Sequence, residues 1–178
     1  AVAKLADGQF LIAGGACDNL GIAPGVDTAM LVSSTGVVST VAVPMALPRM
    51  NAGAARLADG RVLIAGGWFD LASATYGELF TPASGRAEAT FVATGALNMP
   101  RSHPLVIPTD DGGAVVVGGW QPTGAAAPQV EAYDPVTNTF SVLAETVLGD
   151  GATWILQTQL PGDVRAQQRA DNTYVFWA

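Results

Sequence analysis

Short apolar runs of four or five residues alternate with turn-forming clusters along the chain, and no segment shows sustained helical spacing with caps. "AVAKL" (1–5) and "QFLIA" (9–13) flank Asp7-Gly8, "GAARL" (53–57) and "RVLIA" (61–65) flank Asp59-Gly60, and "PLVIP" (104–108) and "AVVVG" (114–118) follow the same plan around Asp111-Gly112. Asp-Gly readily adopts the positive φ values of a tight hairpin turn, so each set predicts a β-hairpin. The second strand of each hairpin is almost continuously apolar, as in a strand buried on both faces. Two further strands follow each time: "TAMLVSS" with "VVSTVAVP", "TYGELFTP" with "AEATFVATG", and "QVEAYDP" with "TFSVLAET", joined by turn-rich steps such as "ASG" and "VTN".

The three hairpins repeat one another. "LADGQFLIAGG" (5–15), "LADGRVLIAGG" (57–67) and "TDDGGAVVVGG" (109–119) align without gaps at a period of 52 residues. A fixed period of this size marks a propeller or solenoid built from one repeated unit, and four antiparallel strands per unit predict a β-propeller blade. Glycine pairs close each second strand at Gly14-Gly15, Gly66-Gly67 and Gly118-Gly119, where the missing Cβ lets a neighbouring backbone approach.

With its strand-ending Gly-Gly, the aromatic pair Tyr133 and Phe140 in "YDPVTNTF", and the "PR" before a first strand at Arg49 and Arg101, the chain resembles a run of kelch repeats. The resemblance covers essentially all of it and implies an all-β fold, a kelch-type β-propeller of about three and a half four-stranded blades, as a single segment over residues 1–178. The units are 1–48, 49–100, 101–150 and a partial 151–178, with Leu31 and Phe80 standing where the third unit has Tyr133. "ADNTYVFWA" (170–178) matches "ADGRVLIAG" (58–66) at a shift of 112, which places about eight extra residues around "LPGDVRAQQ". Such a segment needs the rest of a ring, supplied by the same chain or by a second copy; mid-strand ends favour the first.

Composition narrows the partners. Eight basic against fifteen acidic residues give a net charge of −7, Lys4 is the only lysine and the arginines are scattered, so nucleic acid is not an expected partner. No run reaches the roughly 18 to 20 apolar residues of a membrane-spanning helix, so membrane insertion is not expected either. Cys17 is the one cysteine and forms no disulfide within the chain. The acidic, lysine-poor, Ala/Gly/Thr-rich composition points to an extracellular or cell-surface location.

Six residues stand out as candidates for binding. Arg49 and Arg101 share a register at the blade entrance, where they could grip a carboxylate or sugar, or pair with a carboxylate of a neighbouring blade. Asn51 and His103 follow two residues later in each unit. Trp68 and Trp120 stand directly after glycine pairs, where exposed aromatics suit sugar or protein recognition and packing over the blade edge is the alternative. The repeat pattern also resembles galactose-oxidase-like and glyoxal-oxidase-like kelch enzymes, in which channel-facing positions near such strand starts hold copper. That resemblance makes His103 a candidate ligand, but a copper site needs a second histidine and tyrosines, and neither stands at the matching positions. The glycines lack the lysine and following helix of a phosphate loop, and Asp110 and Asp111 read as solvated turn residues.

The expectation from sequence is a non-enzymatic binding or scaffold module without a cofactor, engaging a protein or glycan through a loop face or channel mouth. The alternatives are part of a galactose-oxidase-like copper radical oxidase and a structural subunit that closes a propeller by homodimerisation.

Overall fold

The computed structural model describes all residues except 17–24, 70–71, 74, 146–164, 169–173 and 178. Three four-stranded antiparallel sheets follow one another along the chain. The first comprises β1 (Val2–Lys4), β2 (Phe10–Ala13), β3 (Ala29–Val32) and β4 (Val38–Thr40). β5 (Gly53–Arg56) and β6 (Val62–Ala65) open the second, a two-residue ribbon of β7 (Trp68–Phe69) and β8 (Ala72–Ser73) interrupts it, and β9 (Tyr76–Thr81) and β10 (Thr90–Ala96) complete it. The third is β11 (Leu105–Pro108), β12 (Ala114–Val117), β13 (Gln129–Asp134) and β14 (Thr139–Glu145). Each sheet runs in chain order from its first strand to its fourth, and no helix occurs among the described residues. These are blades of a β-propeller.

The period is kept at the level of single hydrogen-bonded pairs. Phe10 faces Val32, Val62 faces Phe80 and Ala114 faces Tyr133 at the equivalent place in the three sheets. Val32, one residue beyond the expected Leu31, therefore takes the register of Tyr133 in the first unit. The aromatic pair of the third sheet, Tyr133 with Phe140 at 4.9 Å between ring centroids, has its counterpart in Phe80 with Phe91 at 5.0 Å. A hairpin of β15 (Arg165–Gln168) and β16 (Tyr174–Trp177) pairs Arg165 with Trp177, the register of Gly53 with Ala65 shifted by 112. Residues 165–168 are thus the first strand of a fourth unit, and the extra residues expected around "LPGDVRAQQ" precede it.

The Asp-Gly turns differ in detail from a two-residue hairpin. Leu5 N–H donates to Gln9 O at 2.8 Å and Gly8 N–H to Leu5 O at 3.1 Å, so the loop has three residues with glycine in the left-handed position. Leu57/Arg61 and Thr109/Gly113 repeat that pattern. The aspartate keeps a negative φ and works through its carboxylate: Asp7 Oδ1 accepts from Gln9 N–H and Asp59 Oδ1 from Arg61 N–H, both at 3.0 Å.

Core packing occurs between sheets. Ala3, Leu5, Leu11, Ala13 and Ala29 on one face of the first sheet meet Val62, Ile64 and Phe80 of the second. The opposite face of the second sheet, with Ala55, Leu57, Leu63, Ala65 and Leu79, meets Val106, Ala114, Val116 and Tyr133 of the third. At four positions, Ala3/Ala55, Leu5/Leu57, Leu11/Leu63 and Ala13/Ala65, the forward face is identical in the first two units. The first strands converge, with β5 lying beside both β1 and β11, and β11 beside β15. Gly53 serves that convergence, because a Cβ there would lie 2.5 Å from the Pro104 carbonyl.

The glycine pairs serve the joints. Gly15 N–H donates to Arg49 O and Gly67 N–H to Arg101 O, each at 2.9 Å, so the end of one sheet's second strand is tied to the chain entering the next. A Cβ on Gly14 would run into the Arg49 carbonyl, and one on Gly66 would stand 2.5 Å from that of Arg101. Gly60 and Gly66 separate conformation from space: both have positive φ, but only Gly66 has backbone against it. Gly60→Ala is expected to cost about 1 kcal/mol and Gly66→Ala clearly more in urea unfolding, whereas equal losses would mean that the joint yields to a methyl group.

Candidate functional site

Arg49 and Arg101 are both 0% exposed, and each ends in a carboxylate of its own blade rather than of a neighbour. Arg49 Nη2 donates to Glu78 Oε1 at 2.8 Å, and Nη1 to the carbonyls of Gly66 (2.9 Å) and Tyr76 (3.1 Å). Arg101 repeats this with Glu131 Oε1 at 2.7 Å and the carbonyls of Gly118 (3.2 Å) and Gln129 (2.6 Å). The carboxylates in turn hold the segment that crosses from the preceding blade. Glu78 accepts from the backbone N–H of Ala46 and Leu47, and Glu131 from that of Asn98 and Met99 and from the Asn98 side-chain amide.

Burial pulls both guanidinium groups below the ordinary arginine pKa, and the adjacent glutamate opposes this. Arginine remains charged under all ordinary conditions, so each joint contains a fixed, desolvated ion pair. Both guanidinium groups turn inward, and only Arg49 Nε is left without a hydrogen-bond partner. The repeated "PR" was visible in sequence; its partners were not, because Glu78 and Glu131 lie about thirty residues away within strands and carry no motif of their own.

Beyond each buried arginine the backbone opens toward one end of the blades, opposite the Asp-Gly turns. Met50 and Trp68 exchange two backbone hydrogen bonds (3.0 and 2.7 Å), and Ser102 and Trp120 do the same at 2.8 Å each. The expected pairs are thus brought together within each blade: Trp68 opposite the residue before Asn51, and Trp120 opposite the residue before His103. Both tryptophans are half-buried. After Trp120 the chain turns at once, with Gln121 N–H donating to Ala125 O at 2.8 Å.

Asn51 and His103 are both exposed and both left-handed, with φ of 55° and 53°. Of the described residues other than glycine, only Asn138 shares that conformation. Asparagine and histidine tolerate it better than most, at a cost that a functional or structural constraint must offset. Part of the constraint is visible: His103 N–H donates to Asn51 O at 2.7 Å and links the two blades at this end. His103 Nδ1 lies 3.2 Å from Ser102 Oγ. Burial of part of the ring lowers the imidazole pKa below the usual histidine value, so at neutral pH it offers an uncharged donor and acceptor.

Among the described residues no group of three or more His, Cys, Asp and Glu side chains converges, and His103 has Asn51 and Ser102 as its near polar neighbours. A copper ion needs more nitrogen, oxygen or sulfur donors than this set supplies. Cys17 lies outside the described residues, and Asp111 is occupied by the Gly113 N–H and the Thr109 hydroxyl. No helix is long and apolar enough to cross a membrane among the described residues.

No family model matches the chain, and no curated protein does. Solved structures do match. One is a novel fungal alcohol oxidase of the AA5 family in complex with copper, with 22% identity and a TM-score of 0.58 over 80% of this chain and 30% of that one. Another is YjhT, at 16% identity and a TM-score of 0.61 over 79% of this chain and 44% of its own. The chain spans less than half the length of either. Likeness at these identities shows the propeller fold alone.

Two measurements test this geometry. Glu131→Gln leaves Arg101 buried without its counter-charge and is expected to lower unfolding stability by about 3–5 kcal/mol, with the Arg101→Met/Glu131→Leu double variant recovering only part of the loss, because the Asn98 and Met99 N–H groups then lack their acceptor. A single loss below 1 kcal/mol would mean that the pair is solvated. The one histidine also gives an isolated NMR signal. Its midpoint is expected below the free-histidine value, so His103 weakens the fold only as pH falls through the unfolded-state pKa of about 6.5, and contributes no pH dependence above it.

Proposed function

We propose that this chain is a non-enzymatic binding module, working outside the cell or on its surface, that engages a protein or glycan at the blade end carrying Trp68, Asn51, His103 and Trp120. The observation that carries this reading is the in-register repetition of a half-buried indole beside an exposed left-handed polar residue. A partly exposed indole offers an apolar face for a sugar ring or an aliphatic side chain, and Asn51 and His103 offer hydrogen bonds at its border. Arg49 and Arg101 act here as supports, since each fixes the strand start from which its polar neighbour projects. Acidic composition with one lysine agrees with a ligand that is not polyanionic.

A second reading has one observation in its favour, the likeness to a copper-bound alcohol oxidase. Under it His103 would be a ligand completed by residues other than those described. Stoichiometric copper in the purified protein, lost in His103→Ala, would support it.

The binding reading is tested on protein and glycan arrays with the wild type, Trp68→Ala and Trp120→Ala. A ligand retained by the wild type and weakened at least about tenfold by either variant is expected, equivalent to about 1.4 kcal/mol. A ligand indifferent to both substitutions places recognition elsewhere.

A further inference from the structure

Trp68, Asn51, His103 and Trp120 belong to one continuous backbone tract. Trp68 is bridged to Met50, Asn51 O accepts from His103 N–H, Ser102 is bridged to Trp120, and Trp120 is bridged onward to Ala126. Each half of the tract brings the same parts in the same order: a half-buried tryptophan, a buried residue opposite it, and an exposed polar residue at positive φ. The bond from His103 to Asn51 joins the halves across the line between two blades. A ligand that meets both halves therefore runs from one blade to the next.

The tract carries no charge. Residues 50–52, 66–69, 102–104 and 118–129 contain no Asp, Glu, Lys or Arg, and burial of part of the ring keeps His103 neutral at neutral pH. Arg49 and Arg101, which lead into the two halves, are 0% exposed and paired with Glu78 and Glu131, so neither is available to a carboxylate, sulfate or phosphate on a ligand. The carboxylates of Asp7, Asp59 and Asp111 stand in the turns at the opposite ends of the strands.

A protein partner is poorly served by such a tract. None of the large apolar side chains exposed among the described residues lies in it, whereas protein interfaces are built around a desolvated apolar centre. What the tract exposes is amide, imidazole and hydroxyl, on Asn51, His103 and Thr123. An amide and a neutral imidazole each donate and accept, which matches sugar hydroxyls that do the same. Building on the binding reading above, we propose that the ligand is an uncharged linear oligosaccharide whose units occupy both halves at once, by Trp68 and Asn51 in one blade and by His103 and Trp120 in the next, without forming an ion pair.

Calorimetric titration of the purified intact protein tests this, with neutral gluco-, galacto-, manno- and xylo-oligosaccharides of one to six units and an oligogalacturonate ladder as the charged comparison. One neutral ladder is expected to bind at least about tenfold more tightly as an oligomer than as its monosaccharide, as two linked contacts do. Its Kd is expected to stay within about twofold between about 0.05 and 0.5 M NaCl, because no charge pair is there to be screened. Trp68→Ala and Trp120→Ala are each expected to bring the oligomer down toward the monosaccharide value. Length and salt dependence are read on the wild type, so they decide the matter whether or not the variants fold. A monosaccharide as tight as the hexamer, an affinity that falls steeply with salt, or a preference for the galacturonate ladder overturns the proposal. A protein or charged glycan whose binding is lost in the tryptophan variants overturns it too, while leaving the binding reading in place; no binding on any ladder or array sinks both.

Discussion

Everything described at the two joints depends on one buried ion pair, repeated. A blade cannot stack on its neighbour without bringing the crossing segment under the sheets, and that segment's N–H groups then lose water. Glu78 and Glu131 accept those N–H groups, but a buried carboxylate alone carries a large desolvation cost. Arg49 and Arg101 supply the counter-charge and donate from Nη1 to carbonyls at strand ends, while the buried Arg49 Nε has no hydrogen-bond partner. The arginine backbone is at the same time bonded to the preceding blade, through the second glycine of each pair. One residue thus faces both ways across the joint, with its main-chain carbonyl bonded to the preceding blade and its charge placed in its own.

The stitch is directional and dry, in contrast with the stacking of Ala/Leu faces that surrounds it. Apolar contact holds the sheets together without choosing a register along the strands. The fixed reach of arginine to a particular strand residue supplies that choice, and a second link repeats the device on the outer side. There Asn138, left-handed in the turn after β13, donates from Nδ2 to Ala93 O and accepts from Tyr133 Oη, while its own carbonyl takes the Gly95 N–H. Burial raises the Tyr133 hydroxyl pKa to about 12, which keeps that donor protonated.

The fold was legible in the sequence because its signals are local. Alternating runs, Asp-Gly turns and glycine pairs each act within a dozen residues, and the 52-residue period multiplies them. The candidate site was legible only by register. Sequence placed Asn51 with His103 and Trp68 with Trp120, yet it could not show that Trp68 pairs with Met50 across the strand end, nor that the arginines turn inward. Those facts depend on contacts between distant segments, such as Arg101 with Glu131, where the strand residue reads as one more polar position on an exposed face. The Asp-Gly turns show the opposite failure: the right residues were identified, but the aspartate contributes an acceptor rather than a backbone conformation.

The left-handed backbone at Asn51 and His103 also bears on how such a surface can change. A position held at positive φ by a cross-blade hydrogen bond admits glycine, asparagine, aspartate and histidine with modest strain and excludes β-branched and bulky apolar side chains. The backbone therefore filters the amino-acid alphabet at the exposed rim before any ligand does, and what passes is polar or absent. Across a ring of such units, one substitution per blade could alter hydrogen-bonding character or titration behaviour while the joints beneath stayed as they are. The exposed polar rim and the buried joint are thereby allotted to residues two positions apart in the chain, with separate tolerances for mutation.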